Sequence, residues 1–182
     1  PLGTERRFGR VDAPPADPPS YRRWLPAPSA VDGERAHYPV LVRRPTALAY
    51  PAPVRFTTPR KRLLADLDHF GVGYAGFDRL VHTEFGTVLE GGFEASAVAD
   101  ALVASGYRRE GETRGHDAFA RDDVARRAVV TDRAVVWSSE RVHASPDVAA
   151  LLDAGEGRVR RYHEASEAVQ RLGDVIGESR MV

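Results

Sequence analysis

The side chains able to move a proton or hold a metal ion are six histidines and a few clustered carboxylates. His82-Thr83-Glu84 has the H-x-E spacing of zinc deaminases, where the glutamate shuttles protons beside a metal-bound water. That chemistry also needs a P-C-x-x-C partner, and the chain contains no cysteine. Asp66, Asp68 and His69 share one turn of a predicted helix. Residues two apart on a helix face different sides, so this trio predicts a solvated last turn. His116 and Asp117, with Glu112 before them and Asp122-Asp123 after, make the remaining cluster. If the chain carries a reaction, its site is expected near His116, with Asp117 and Glu112 as the accompanying carboxylates. Asp122-Asp123 lacks the alternating oxygens and bend glycine of a calcium loop, and predicts a hairpin turn.

Other signatures of chemistry fail on context. No G-x-S-x-G elbow occurs in the sequence. Gly71-Val72-Gly73-Tyr74-Ala75-Gly76 follows a predicted helix and precedes a predicted strand. That reverses the strand–loop–helix order which aims a helix N-terminus at phosphate. The sequence therefore assigns no catalytic residue, no metal ligand and no cofactor.

Charge points the same way. The 26 basic and 26 acidic residues balance, leaving no field to hold a polyanion, so nucleic acid is not an expected partner. Lys61 is the one lysine among 26 basic residues. Two local patches stand out. "TERRFGR" at residues 4–10 would sit against an anionic membrane if the segment were anchored there. "RVRRYHE" at 158–164 offers Arg158, Arg160 and Arg161 beside an aromatic ring. No apolar run approaches the roughly 18 residues of a membrane span.

These groups must be positioned by elements, and proline marks where the elements begin. Twelve of the thirteen prolines lie within residues 1–59. Residues 1–20 predict a flexible, extended, proline-rich tether. Residues 21–182 predict a single domain, with an irregular arm and edge strand over 21–57 and a core over 58–176. In the arm, Tyr38–Arg43 is the strand, confined by Pro39 and Pro45 to an edge or its ends, and Trp24 and Leu25 pack on the flank.

In the core, Thr58-Pro59 opens a helix with a Leu63/Leu64/Leu67 stripe, stopped by Gly71. Strands follow over 77–83 and 86–92, turning near Glu84–Gly86. Ala95, Val98, Ala101 and Leu102 share a face of a second helix that ends at Gly106, with Glu94 a poor N-cap. Two more strands lie near 107–111 and 116–121. Residues 127–136 then state Arg-Ala-Val-Val twice across Thr131-Asp132, the pattern of a hairpin solving one packing problem on two strands. Asp132-Arg133 suits such a turn less well than Asn-Gly, which leaves a longer loop open. Ser145, Pro146 and Gly155 bracket a third helix. A last helix starts near 161 with Tyr162, Ala165, Val169, Leu172 and Ile176 in phase, its final turn weakened by Gly173. Neighbouring strands with short links predict an α+β fold: an antiparallel sheet with helices mainly on one face, preceded by the proline-rich arm.

Several stretches together resemble a family of exported, often lipid-anchored proteins of haloarchaea, with looser counterparts in actinobacteria. They are Trp24-Leu25-Pro26-Ala27-Pro28; Val88-Leu89-Glu90-Gly91-Gly92-Phe93 ahead of Val98, Leu102 and Gly106-Tyr107; and Arg114-Gly115-His116-Asp117-Ala118-Phe119. The doubled Ala-Val-Val and Gly157 before Arg161-Tyr162-His163-Glu164 complete the pattern. The chain departs from it in being neutral rather than strongly acidic, and in carrying Glu94 where the family prefers aspartate. The resemblance implies no reaction. It implies a signal ending in a lipobox cysteine, after which Leu2-Gly3-Thr4-Glu5-Arg6-Arg7 would follow.

The expected function is thus a non-enzymatic, extracytoplasmic domain of unknown ligand, tethered to the membrane only through a lipid anchor upstream of this chain. The alternative is a protein–protein interaction module, using the edge strand and the apolar residues Trp24, Leu25 and Tyr38, with the arginines at 158, 160 and 161 as a further contact. An enzyme centred on His116 comes third.

Overall fold

The computed structural model describes residues 20–31, 33–43, 78–121, 126–137 and 148–176. Residues 1–19 of the predicted tether, the helix after Thr58, the glycine loop, Asp66, Asp68, His69, Asp122-Asp123 and the Ser145-Pro146 cap lie outside them.

Seven strands form one antiparallel sheet: β1 (Val40–Arg43), β2 (Arg79–Thr83), β3 (Thr87–Glu90), β4 (Arg108–Thr113), β5 (His116–Arg121), β6 (Arg126–Val130) and β7 (Ala134–Trp137). Their order across the sheet is β1-β2-β3-β7-β6-β5-β4. Two meanders therefore meet where β3 pairs with β7. Between them α2 (Ala95–Ala104) carries the chain from β3 at the centre to β4 at the far edge. The other helical pieces are a 3-10 turn (Ser20–Trp24), α1 (Pro28–Val31), α3 (Val148–Gly155), α4 (Tyr162–Ala165) and α5 (Glu167–Ile176).

The strand period of two sends alternate side chains to opposite faces, and here both faces are covered. Leu80, Leu89, Ala128, Val130, Val135 and Trp137 pack on one side against Val98, Ala99 and Leu102 of α2. Val81, Val88, Val129, Ala134 and Val136 pack on the other against Trp24, Leu25, Leu151, Leu152 and Tyr162. Among the described residues, helices thus gather mainly on this second face, with α2 on the first. The α+β architecture expected from the strand spacing is the one observed.

The doubled Ala-Val-Val is the hairpin β6–β7, with Val129 opposite Val136 and Val130 opposite Val135. Its link is the short one, Asp132-Arg133, and both residues keep negative φ. Thr131 makes this possible. Its Oγ1 accepts hydrogen bonds from Arg133 N–H (3.2 Å) and Ala134 N–H (2.9 Å). Thr83 does the same between β2 and β3, accepting from Phe85 N–H (3.2 Å) and Gly86 N–H (3.3 Å). The third hairpin, β4–β5, takes the usual route instead: Arg114 (φ 57°) and Gly115 (φ 79°) supply the two positive φ angles that match strand twist.

The third helix ends at Gly155 and Glu94 is a poor cap, both as expected, while three details of the helices differ. α3 is closed by Gly157 (φ 74°), where Arg158 N–H reaches Asp153 O and Gly157 N–H reaches Ala154 O. Gly155 is glycine for another reason: a Cβ there would lie 2.3 Å from the Trp24 ring. In α2 Ala99, not Ala101, joins Val98 and Leu102 in the core, and Glu94 makes no side-chain cap. The last helix is broken. Ser166 is extended (φ −138°, ψ 111°) and ends α4, while its Oγ accepts from Val169 N–H (3.4 Å) to start α5.

Candidate functional site

Two places gather polar side chains with nearby cavities or charges, and they differ in kind. The first surrounds His116. The β4–β5 turn puts Arg114 over the end of α3, where its Nε and Nη2 donate to the two carboxylate oxygens of Asp153 (2.8 and 2.7 Å). Arg158 reaches Asp153 (3.3 Å) and Glu156 (2.6 Å), and His116 Nε2 lies 2.5 Å from Glu156 Oε1. Burial works to raise the Asp153 pKa, yet the hydrogen bonds and charges of Arg114 and Arg158 outweigh it and hold the carboxyl below its ordinary value. Asp117 pairs with Arg109 at 2.7 Å, away from this set, and Glu112 is exposed opposite it on β4. His116, Asp117 and Glu112 thus do not converge. The cluster is a clasp between a hairpin and a helix.

His82 and Glu84 part in the same way. His82 Nδ1 is 2.7 Å from Thr87 Oγ1, its cross-strand partner, while Glu84 pairs with Arg35. Among the described residues, no group of three or more histidines and carboxylates is placed to hold a metal ion.

The second place is a cleft of about 270 Å³ between the 3-10 turn, the edge strand β1 and the α4–α5 pair. Its walls are hydrocarbon from Leu25, Val40, Val42, Val169 and Leu172, with the rings of Tyr21, Tyr38 and Tyr162. Arg22, His163 and Gly173 complete the lining. Main-chain pairing fixes the floor: Tyr162 N–H donates to Leu25 O (2.8 Å) and Ala27 N–H to Arg160 O (2.8 Å). Tyr38 donates its hydroxyl to Pro26 O (2.6 Å), and burial, helped by the neighbouring Tyr162, drives its pKa far up.

Arg22 ties α5 to this floor through Asp174 (2.8 Å). A Cβ on Gly173 would lie 2.4 to 2.6 Å from three guanidinium atoms, so the glycine that weakens α5 is what lets the helix cross Arg22. Burial lowers the His163 pKa; Arg22 and Arg161 lower it further, against the opposing pull of Glu164. Its Nδ1 is buried and finds no hydrogen-bond partner among the described residues.

The residues singled out from the sequence fall on both sides of this boundary. Trp24, Leu25 and Tyr38 are buried in the chain's own core, where Leu25 and Tyr38 also line the cleft. Arg160 is exposed and donates to Glu164 O (2.6 Å). Arg158 belongs to the clasp. Arg161 caps α4, its N–H donating to Glu164 Oε2 (2.8 Å) and its Nε to Ala154 O (3.0 Å). Sequence reasoning missed Tyr21, Arg22 and His163 as cleft residues. Ser166 ahead of Glu167, a helix-start signal inside an in-phase apolar stripe, could have revealed the break that shapes this cleft.

Compared with known proteins, the chain matches no family model, no curated protein and no solved structure.

Proposed function

We propose that this chain is a non-catalytic binding domain, carried outside the cytoplasm on its proline-rich N-terminal segment and held at the membrane by a lipid anchor upstream. The observation that carries the binding reading is a contrast in how polar groups are used. Around His116 they are spent on one another as a brace, whereas the cleft beside β1 is lined mainly by hydrocarbon and phenol rings with a few polar groups at its rim. The tether and anchor rest on the composition of residues 1–20 and on the family pattern. Mass spectrometry of the native protein tests them. A lipid-modified N-terminus in the membrane fraction is the expected result, and an unmodified N-terminus in the cytoplasmic fraction would end the reading.

A second reading, a module for a protein partner, is favoured by α5. Leu172 and Val175 on that helix are 55% and 86% exposed, beside an edge strand. The partner surface then lies on α5 and β1 rather than on Trp24, Leu25 and Tyr38. Removing residues 1–37 would strip Tyr21, Trp24 and Leu25 from the core, so the discriminating variant is Leu172→Ser with Val175→Ser. Light scattering that finds the parent and this variant equally monomeric at all concentrations would argue against self-association through this face.

A further inference from the structure

We propose that the cleft capped by α5 is a receptor site for a small aromatic molecule that carries no positive charge; this rests on the binding-domain reading and gives it a ligand class. Size sets the first limit. A cavity of about 150 Å³ holds benzene, so about 270 Å³ fits a two-ring molecule such as indole. The wall chemistry sets the second. Valines and leucines enclose the space, and Tyr21, Tyr38 and Tyr162 present ring surface, the lining that favours stacked or edge-on contact with another ring.

Charge sets the third limit. An aromatic cage for an ammonium group needs rings splayed around the cation. Tyr38 and Tyr162 instead pack on each other, with centroids 4.7 Å apart and a 34° tilt. The guanidinium of Arg22 stands in the same wall, paired with Asp174 and so already neutralised. Among the described residues the lining holds no carboxylate to answer a cationic ligand. The α5 wall of the cleft packs chiefly on α4 and joins it through the extended Ser166.

The test is a titration of the full chain with indole and, separately, with benzyltrimethylammonium, followed by NMR of the tyrosine rings and the His163 imidazole. Indole is expected to shift the signals of Tyr21, Tyr38, Tyr162 and His163 saturably, and the ammonium to leave them in place. Val169→Phe, which fills the cleft from α5, should weaken indole binding at least roughly tenfold, in line with the loss of one well-packed contact set. Val40→Phe fills it from the edge strand and serves if the first variant unfolds. Indole that moves none of these signals, an ammonium that binds as tightly, or a filled cleft that binds indole unchanged would each overturn the proposal. A lipid-anchored native protein that ignores indole would sink this site and leave the tethered reading standing; a lipid-free protein that binds indole would do the reverse.

Discussion

The centre of the sheet and the α5 margin are built from similar residues and held by different means. In β2, β3, β6 and β7 nearly every side chain is buried, because one face meets α2 and the other meets α3 and the 3-10 turn. At the margin, α5 leaves most of its surface in water and is tied down by Val169, by Gly173 over Arg22, and by the Arg22–Asp174 pair. Packing shared among many partners resists change. At the margin one buried arginine, Arg22, meets one exposed carboxylate, Asp174, so a single pair carries the tie. The sheet centre is thus held by many shared contacts and the α5 margin by a few.

Substitutions sharpen that contrast. Trp137→Ala removes a fully buried side chain at the strand junction and is expected to cost about 3–5 kcal/mol in urea unfolding. A loss under about 1 kcal/mol would show that the centre is no better packed than the margin. Gly155→Ala should cost about 1–3 kcal/mol, since its methyl would overlap the Trp24 ring; an unchanged midpoint would return Gly155 to the role of a mere helix stop. Arg114→Ala takes away the bidentate partner of the buried Asp153 but leaves Arg158, and is expected to cost about 1–2 kcal/mol.

Smaller effects belong to the margin. Because His163 is harder to protonate in the folded chain than its ordinary value of 6.5 implies, the unfolded chain binds the proton first. Its contribution is complete above pH 6.5 and wanes as pH falls below that value. Between pH 7.5 and 5 the parent should therefore lose more stability than His163→Gln, and equal losses would contradict it. Val175→Ser should change stability by less than about 0.5 kcal/mol.

The legible part of this fold was whatever local rules decide. The valine repeat announced β6 and β7, Gly106 announced the end of α2, and Pro39 confined Val40–Arg43 to an edge. What stayed hidden depends on contacts distant in sequence. Gly155 and Gly157 look alike as letters, and only the ring of Trp24, some 130 residues upstream, separates a packing glycine from a stop. Ser166 was masked by an apolar stripe that continues in phase across it. The cleft was hidden most deeply, because Arg22, Tyr38 and His163 meet through three separate elements. His116 drew attention by the company it keeps in sequence, whereas its partner in space is Glu156.

The threonine hydroxyls at 83 and 131 give two turns an anchor that asks nothing of the residues they enclose. At the second turn those residues, Asp132 and Arg133, leave 84% and 69% of their side chains in water. That tip is a natural seat for a reporter group or a grafted dipeptide. A label placed there would report on the molecule from the end of the β6–β7 hairpin without entering the core.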